Sequence, residues 1–223
     1  LHLLSRRQRQ MCIRDSLWNL FDLAGTLSFA VSGAIVGAVK RMDIFGISVL
    51  AILTAVGGGM IRDVLSGHIP PAALRNPVPI GLALLAAIVT SYCISSYRLE
   101  GRRKKFLNLL YIAADTIGLA SFTVTGTMVG LSDGEPESYI FPVVLGLLTA
   151  VGGGVLRDLM AQKIPVVLVM DVYATASIAG SIMICLCWRF GAMDLAPIIG
   201  ALVVIILRVL AVQFKWQLYR PVK

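Results

Sequence analysis

The sequence predicts an all-α integral membrane protein of seven transmembrane helices, built as two inverted three-helix repeats plus a seventh helix. Three observations carry this prediction: a surplus of apolar residues, the length of the apolar runs, and the recurrence of two sequence blocks. Of 223 residues, 57% are hydrophobic and 14% charged, with a mean hydropathy of +0.84. Soluble chains carry about 45–50% apolar and about 25% charged residues, so a water-soluble domain of this size could not hide the surplus. A separate soluble domain is thereby excluded. A transmembrane barrel would show short segments of alternating polarity. The runs here are instead continuous and approach the roughly 20 residues that a helix needs to cross about 30 Å of hydrocarbon.

Residues 1–16, LHLLSRRQRQMCIRDS, stand apart with four arginines and little apolar periodicity. A signal peptide needs an apolar core before a small-residue cleavage site; this segment has none and reads as a non-native leader, similar to translated sequencing-adapter sequence. The seven spans are then expected at 17–39, 44–66, 78–97, 107–131, 139–162, 166–188 and 195–214. FDLAGTLSFAVSGAIVG, from Phe21, matches ADTIGLASFTVTGTMVG, from Ala114, at an offset of 93. LTAVGGGMIRDVLSGHIP, from Leu53, matches LTAVGGGVLRDLMAQKIP, from Leu148, at an offset of 95. The repeating unit is three spans long, 17–106 and 107–190, leaving 191–223 for the seventh span and a cytoplasmic tail. Three being odd, the second copy enters the membrane from the opposite face, an arrangement typical of transport proteins.

The net charge of +8 would suit nucleic acid in a soluble protein. Here the basic residues lie mostly between apolar runs and act as topology signals, with no nucleic-acid partner implied. Eleven of the 20 Lys and Arg fall on one side, among them Lys40, Arg41, Lys104, Lys105 and Lys163. Apart from the leader, the other side carries Arg75 and Arg189. The positive-inside rule puts the C-terminus in the cytoplasm of a prokaryotic inner membrane, with the acidic loop of Asp133, Glu135 and Glu137 outside. Cys93, Cys185 and Cys187 fall in apolar stretches, where cysteine acts as a small hydrophobe. No metal site or cofactor is expected.

Two glycine triplets, Gly57, Gly58, Gly59 and Gly152, Gly153, Gly154, sit near the middle of spans 2 and 5. A glycine costs about 1 kcal/mol against alanine inside a helix, so each triplet is expected to break its span. Interrupted helices at matched positions of two inverted halves point to a transport site; the alternative is close helix packing by small residues. Beyond each triplet stands an Arg-Asp pair, Arg62-Asp63 and Arg157-Asp158, and charge at this depth is a functional signal by default. Depth matches Arg62 with Asp22 and Arg157 with Asp115, as ion pairs that serve either transport or helix register. Asp22, Ser28 and Ser32 recur as Asp115, Ser121 and Thr125, a polar stripe on one face of spans 1 and 4. Arg208 is expected to snorkel to the interface.

These residues resemble the TRIC (trimeric intracellular cation) channel family and its prokaryotic relatives, some of them glycine transporters. The resemblance runs over 17–214, through the duplicated unit, the seventh span and both GGGxxRD motifs. It implies a homotrimer with a pore in each protomer, bounded by kinked spans 2 and 5, that passes potassium and other monovalent cations; Gly57 to Gly59 and Gly152 to Gly154 carry over as pore elements. The leader departs from the family pattern. A carrier for glycine or another small zwitterion stays open, since helix-end amides and arginine hold a carboxylate while carbonyls hold the ammonium. An intramembrane enzyme is disfavoured, because His2 and His68 form no metal-binding helix motif and no nucleophile elbow occurs. External cysteine labelling is expected to reach residues 132–138 and not 102–105; the reverse pattern would refute the orientation.

Overall fold

The computed structural model describes residues 2–95, 102–134, 138–169, 172–214 and 216, with side chains from Leu17 onward except those of 102 and 103. Glu135, Glu137, Arg98, Lys215, Arg220, Lys223 and the side chains of the expected leader therefore lie outside the described residues. Among the described residues there are helices and no strand: α1 (His2–Val39), α2 (Ile44–Leu65), α3 (Ala72–Arg75), α4 (Val78–Ser95), α5 (Arg102–Asp133), α6 (Ile140–Met160), α7 (Val166–Val169), α8 (Ala174–Arg189) and α9 (Ala196–Phe214). Six of them, α1, α2, α4, α5, α6 and α9, are long and apolar enough to cross a membrane. In hydrocarbon every peptide group must bond within its own segment, which is why apolar runs of this length become helices.

The ends of these helices follow from local chemistry. Asp43 caps α2 by accepting a 2.7 Å hydrogen bond from the Gly46 amide. After α2, Gly67 turns left-handed at φ 77° and the His68 amide returns to the Asp63 carbonyl at 2.8 Å. After α6 the same turn is made without glycine: Gln162 takes φ 50° and the Lys163 amide bonds the Asp158 carbonyl at 2.8 Å.

The expected span 166–188 is the one the structure corrects. It divides into the four-residue α7 and the sixteen-residue α8, echoing α3 and α4 in the first half. At about 1.5 Å per residue, α8 is some 24 Å long, short of a full hydrocarbon crossing. In the first half, prolines at 70, 71, 77 and 79 announce the division. In the second half the punctuation is sparser, with Pro165 matching Pro70 and Asp171 standing between α7 and α8.

Helices α1, α2, α6 and α5 close into a central ring; α4 packs on α1 and α2, α8 packs on α5 and α6, and α9 packs on α5 and α8. Within α4 only Ala83 and Ala87 are buried, while Leu84, Leu85, Ile88, Val89 and Tyr92 are exposed. Such apolar surface belongs in lipid, where leucine gains nothing by hiding. The flanking helices are seated differently in the two halves. Ala30, Ala34, Ala83 and Ala87 belong to the apolar cluster that joins α1 to α4. Between α5 and α8, hydroxyls bond instead: Thr123 Oγ1 to Ser177 Oγ and Thr127 Oγ1 to Ser181 Oγ, both at 2.8 Å.

The glycine triplets do not interrupt their helices, contrary to expectation: α2 and α6 run through them as continuous helix. Their use is close approach. A Cβ at Gly58 would strike the Thr149 carbonyl oxygen, and one at Gly153 would strike that of Thr54. Gly57 faces Leu156 and Gly152 faces Ile61 in the same reciprocal manner. Backbone contact between α2 and α6 repays the low helix propensity, which is the small-residue packing that lipid favours. The ring is completed by a second exchange, Gly25 against Phe122 and Gly118 against Phe29, whose rings meet edge-on at 5.2 Å and 65°. Gly58→Ala and Gly153→Ala are each expected to destabilise the folded protein by about 1–3 kcal/mol through overpacking. Gly59→Ala meets nothing nearer than the Arg62 guanidinium at 3.8 Å and should be close to neutral. Thermal unfolding in detergent distinguishes them, and equal midpoints for all three variants would refute the crossing.

Candidate functional site

Each Arg-Asp motif folds into a self-contained unit at the end of its helix. Arg62 Nε donates to Asp63 Oδ1 at 2.9 Å, and Asp63 Oδ2 accepts the Ala72 amide at 2.7 Å, tying the start of α3 to α2. Arg157 Nε donates to Asp158 Oδ1 at 2.9 Å, and Asp158 Oδ2 accepts the Val166 amide at 2.8 Å, tying α7 to α6. The acidic neighbour thus serves both as counter-ion and as a loop anchor. That leaves the far edge of each guanidinium for the carboxylate of the neighbouring helix.

Both depth-matched pairs form, with different geometry. Arg62 Nη1 stands 3.6 Å from Asp22 Oδ1, and the Asp22 side chain is 33% exposed. Arg157 Nη1 bonds Asp115 Oδ1 at 2.7 Å and Ser32 Oγ at 2.5 Å, with the Arg157 side chain fully enclosed. Thr125, the counterpart of Ser32, bonds the Phe122 carbonyl of its own helix instead, at 3.5 Å. The second cluster is also walled by aromatic rings, Tyr111 centred 5.1 Å from the Arg157 guanidinium and Tyr173 beside it.

Two cavities lie toward opposite ends of the apolar stretch Leu17–Val39 of α1. The first, about 230 Å³, is walled by Trp18, Asn19, Asp22, Thr26, Gly59, Arg62, Asp63 and Asn76 among others. Its charged groups are two carboxylates against one guanidinium. The second, about 530 Å³, is lined by Ile35 to Val39 of α1 together with Arg41, Lys104, Tyr111, Asp158 and Lys163. There three cations face one carboxylate. Burial and the charge of Lys40 hold the Lys163 ammonium below the usual lysine range. One end of the molecule therefore attracts cations and the other repels them, before any contact is made.

Of the residues singled out from the sequence, Asp22, Arg62, Asp63 and Gly59 come together on the first cavity, and Asp158 reaches the second. Ser32, Asp115 and Arg157 meet in the sealed cluster. Gly57, Gly58, Gly152 and Gly153 are consumed in the helix crossing, and Gly154 lies under the Tyr173 hydroxyl. Ser28 and Ser121 line neither cavity; Ser121 is buried against Gly25. Arg208 does not snorkel. It is 2% exposed, its Nη2 is 3.7 Å from Asp115 Oδ2, its Nη1 donates to the Val172 carbonyl at 3.4 Å, and it stacks 4.7 Å over the Tyr173 ring. Neither tyrosine had a sequence signal, since aromatic residues near span ends are ordinary interface anchors.

The glycine transporter family model matches residues 19–95 and 112–189, one stretch in each copy of the repeat. The chain belongs to this family. It is 33% identical over 202 residues to the inner membrane protein YadS of Escherichia coli, spanning 90% of this chain and 93% of YadS. Its fold matches that of TRIC cation channels. One such channel, solved to explain conductance, is 36% identical with a TM-score of 0.78 over 91% of this chain and 96% of that one. The trimeric intracellular cation channel orthologue from Rhodobacter sphaeroides is 31% identical with a TM-score of 0.81, over 90% of this chain and 100% of that one.

The geometry makes the two ion pairs energetically unequal. Breaking Asp115–Arg157 by neutralising either partner should destabilise by up to about 3–5 kcal/mol, because the survivor stays dry with one charged partner fewer, Arg157 keeping Asp158 and Asp115 keeping Arg208 at 3.7 Å. Neutralising Asp22 should cost much less, since water reaches its carboxylate. Double-mutant cycles with D115N/R157Q and D22N/R62Q check this, and additive effects in the Asp115–Arg157 cycle would overturn the assignment.

Proposed function

We propose that the protein is a channel for monovalent cations, potassium among them, with a pore in each protomer of a homotrimer in the bacterial inner membrane. The observation that carries this is the first cavity, where Asp22 and Asp63 outnumber Arg62 and Asp22 is water-accessible. A cation arriving there exchanges part of its hydration shell for carboxylate and carbonyl oxygens. The cation-channel relatives, one of them trimeric, support both the activity and the assembly.

In this reading α8 is the sixth span and α9 the seventh, and the two halves are inverted. Reciprocal contacts support the inversion: Gly58 on Thr149 with Gly153 on Thr54, and Gly25 on Phe122 with Gly118 on Phe29, interchange under a two-fold operation. The charge asymmetry between loops supports a cytoplasmic C-terminus, which puts the basic cavity inside. Between the two cavity walls of α1 lie buried Phe29 and Ser32, so conduction requires these to move.

A second reading, uptake of glycine or a similar zwitterion, is favoured by one feature of the same cavity. Opposite charges 3.6 Å apart, Arg62 and Asp22, suit a carboxylate and an ammonium respectively. The family description points the same way. Purified protein in liposomes is expected to pass potassium current and to show no saturable uptake of labelled glycine; the converse result would replace the channel with the carrier.

A further inference from the structure

Counted by charge, the two Arg-Asp clusters begin alike. Asp22, Asp63 and Arg62 sum to −1, and so do their counterparts Asp115, Asp158 and Arg157. In the first half that surplus faces a cavity of about 230 Å³. In the second, Asp158 reaches the larger cavity, while the buried Asp115 faces Arg208, which brings the cluster to neutrality. Arg208 comes from α9, outside the repeat, so the first half has no counterpart. Its Nη2 approaches Asp115 Oδ2, the oxygen that the Asp115–Arg157 hydrogen bond leaves free. Around it stand a carboxylate oxygen, the Val172 carbonyl and the face of Tyr173. These are the groups that would receive a desolvated cation.

We propose that Arg208 is a tethered cation, occupying in the second half the charge position that the first half leaves open to the permeating ion. The inference rests on the cation-channel reading. An uncompensated carboxylate in a dry site is costly, so a cluster deprived of Arg208 draws in water and a small cation to replace it. The other cations on this side, Arg41, Lys104 and Lys163 with Lys40 beside it, lie toward Asp158 across the second cavity and are present whether or not Arg208 is. Arg208 therefore acts as a positioning residue that keeps the inner half closed to ions, and its withdrawal is a step in opening.

Two readouts on R208Q and D115N/R208Q test this. In liposomes, R208Q is expected to raise potassium flux several-fold over the unmodified chain. In detergent, its unfolding midpoint is expected to rise with KCl and not with N-methylglucamine chloride, because only the small cation fits the vacated place. In D115N/R208Q the cluster is neutral again and both effects should vanish. An R208Q protein with unchanged flux and no potassium-specific stabilisation overturns the proposal. Should R208Q fail to fold, recovery of folding in D115N/R208Q supports the charge balance, and failure of both overturns it. If the unmodified chain passes no potassium while R208Q gains potassium-specific stability, the channel reading falls and the assignment of Arg208 stands.

Discussion

At the crossing of α2 and α6 two carbonyl oxygens lie where side chains would stand on any other pair of helices. Gly58 and Gly153 each receive the carbonyl of a threonine from the opposite helix, and the rest of the molecule is arranged around that contact. Because the helices touch backbone to backbone, the residues one step away in each triplet interlock with Ile61 and Leu156. The last glycine of each triplet lies beside its own arginine. Any Cβ at the middle position would push the two arginine-bearing ends apart. The helix penalty of about 1 kcal/mol per glycine is the cost of bringing two charged helix ends into one ring.

From that ring the two halves diverge. The Asp22 cluster stays wet and net negative, whereas the Asp115 cluster is dry, hydrogen-bonded to Ser32 and balanced by Arg208. Part of this difference lies within the repeat, in Ser32 against Thr125 and in the rings of Tyr111 and Tyr173. The rest arises from where the ninth helix docks: α9 packs on α5 and α8 of the second half. The Asp115 end thus carries Arg208 from α9 as well as the basic lining of Arg41, Lys104 and Lys163, while the Asp22 end keeps one carboxylate in excess.

The sequence made much of this legible, and for identifiable reasons. Apolar length located six of the long helices because lipid enforces it. The offsets of 93 and 95 paired Asp22 with Arg62 and Asp115 with Arg157 because depth follows residue count along a helix. The glycine triplets misled, since propensity counts the cost of a glycine and is blind to the partner backbone that offsets it. Arg208 misled for a related reason. A lone basic residue near a span end has two fates, snorkelling or burial against a carboxylate, and only the packing of α9 beside Asp115 chooses between them. The α7–α8 division was marked only by Pro165 ahead of α7 and Asp171 after it, a weaker signal than the four prolines of the first half.

The flanking helices carry a further consequence in their seams. Where α8 meets α5, Thr123 with Ser177 and Thr127 with Ser181 fix a register, since sliding one helix along the other breaks both hydroxyl bonds at once. Where α4 meets α1, the buried residues of both helices in the shared cluster are alanines, Ala30 and Ala34 with Ala83 and Ala87. Sliding α4 along α1 breaks neither of those hydroxyl bonds. The two copies of one ancestral unit are thereby mechanically distinct. Register is held by directional bonds at one seam and by small apolar side chains at the other.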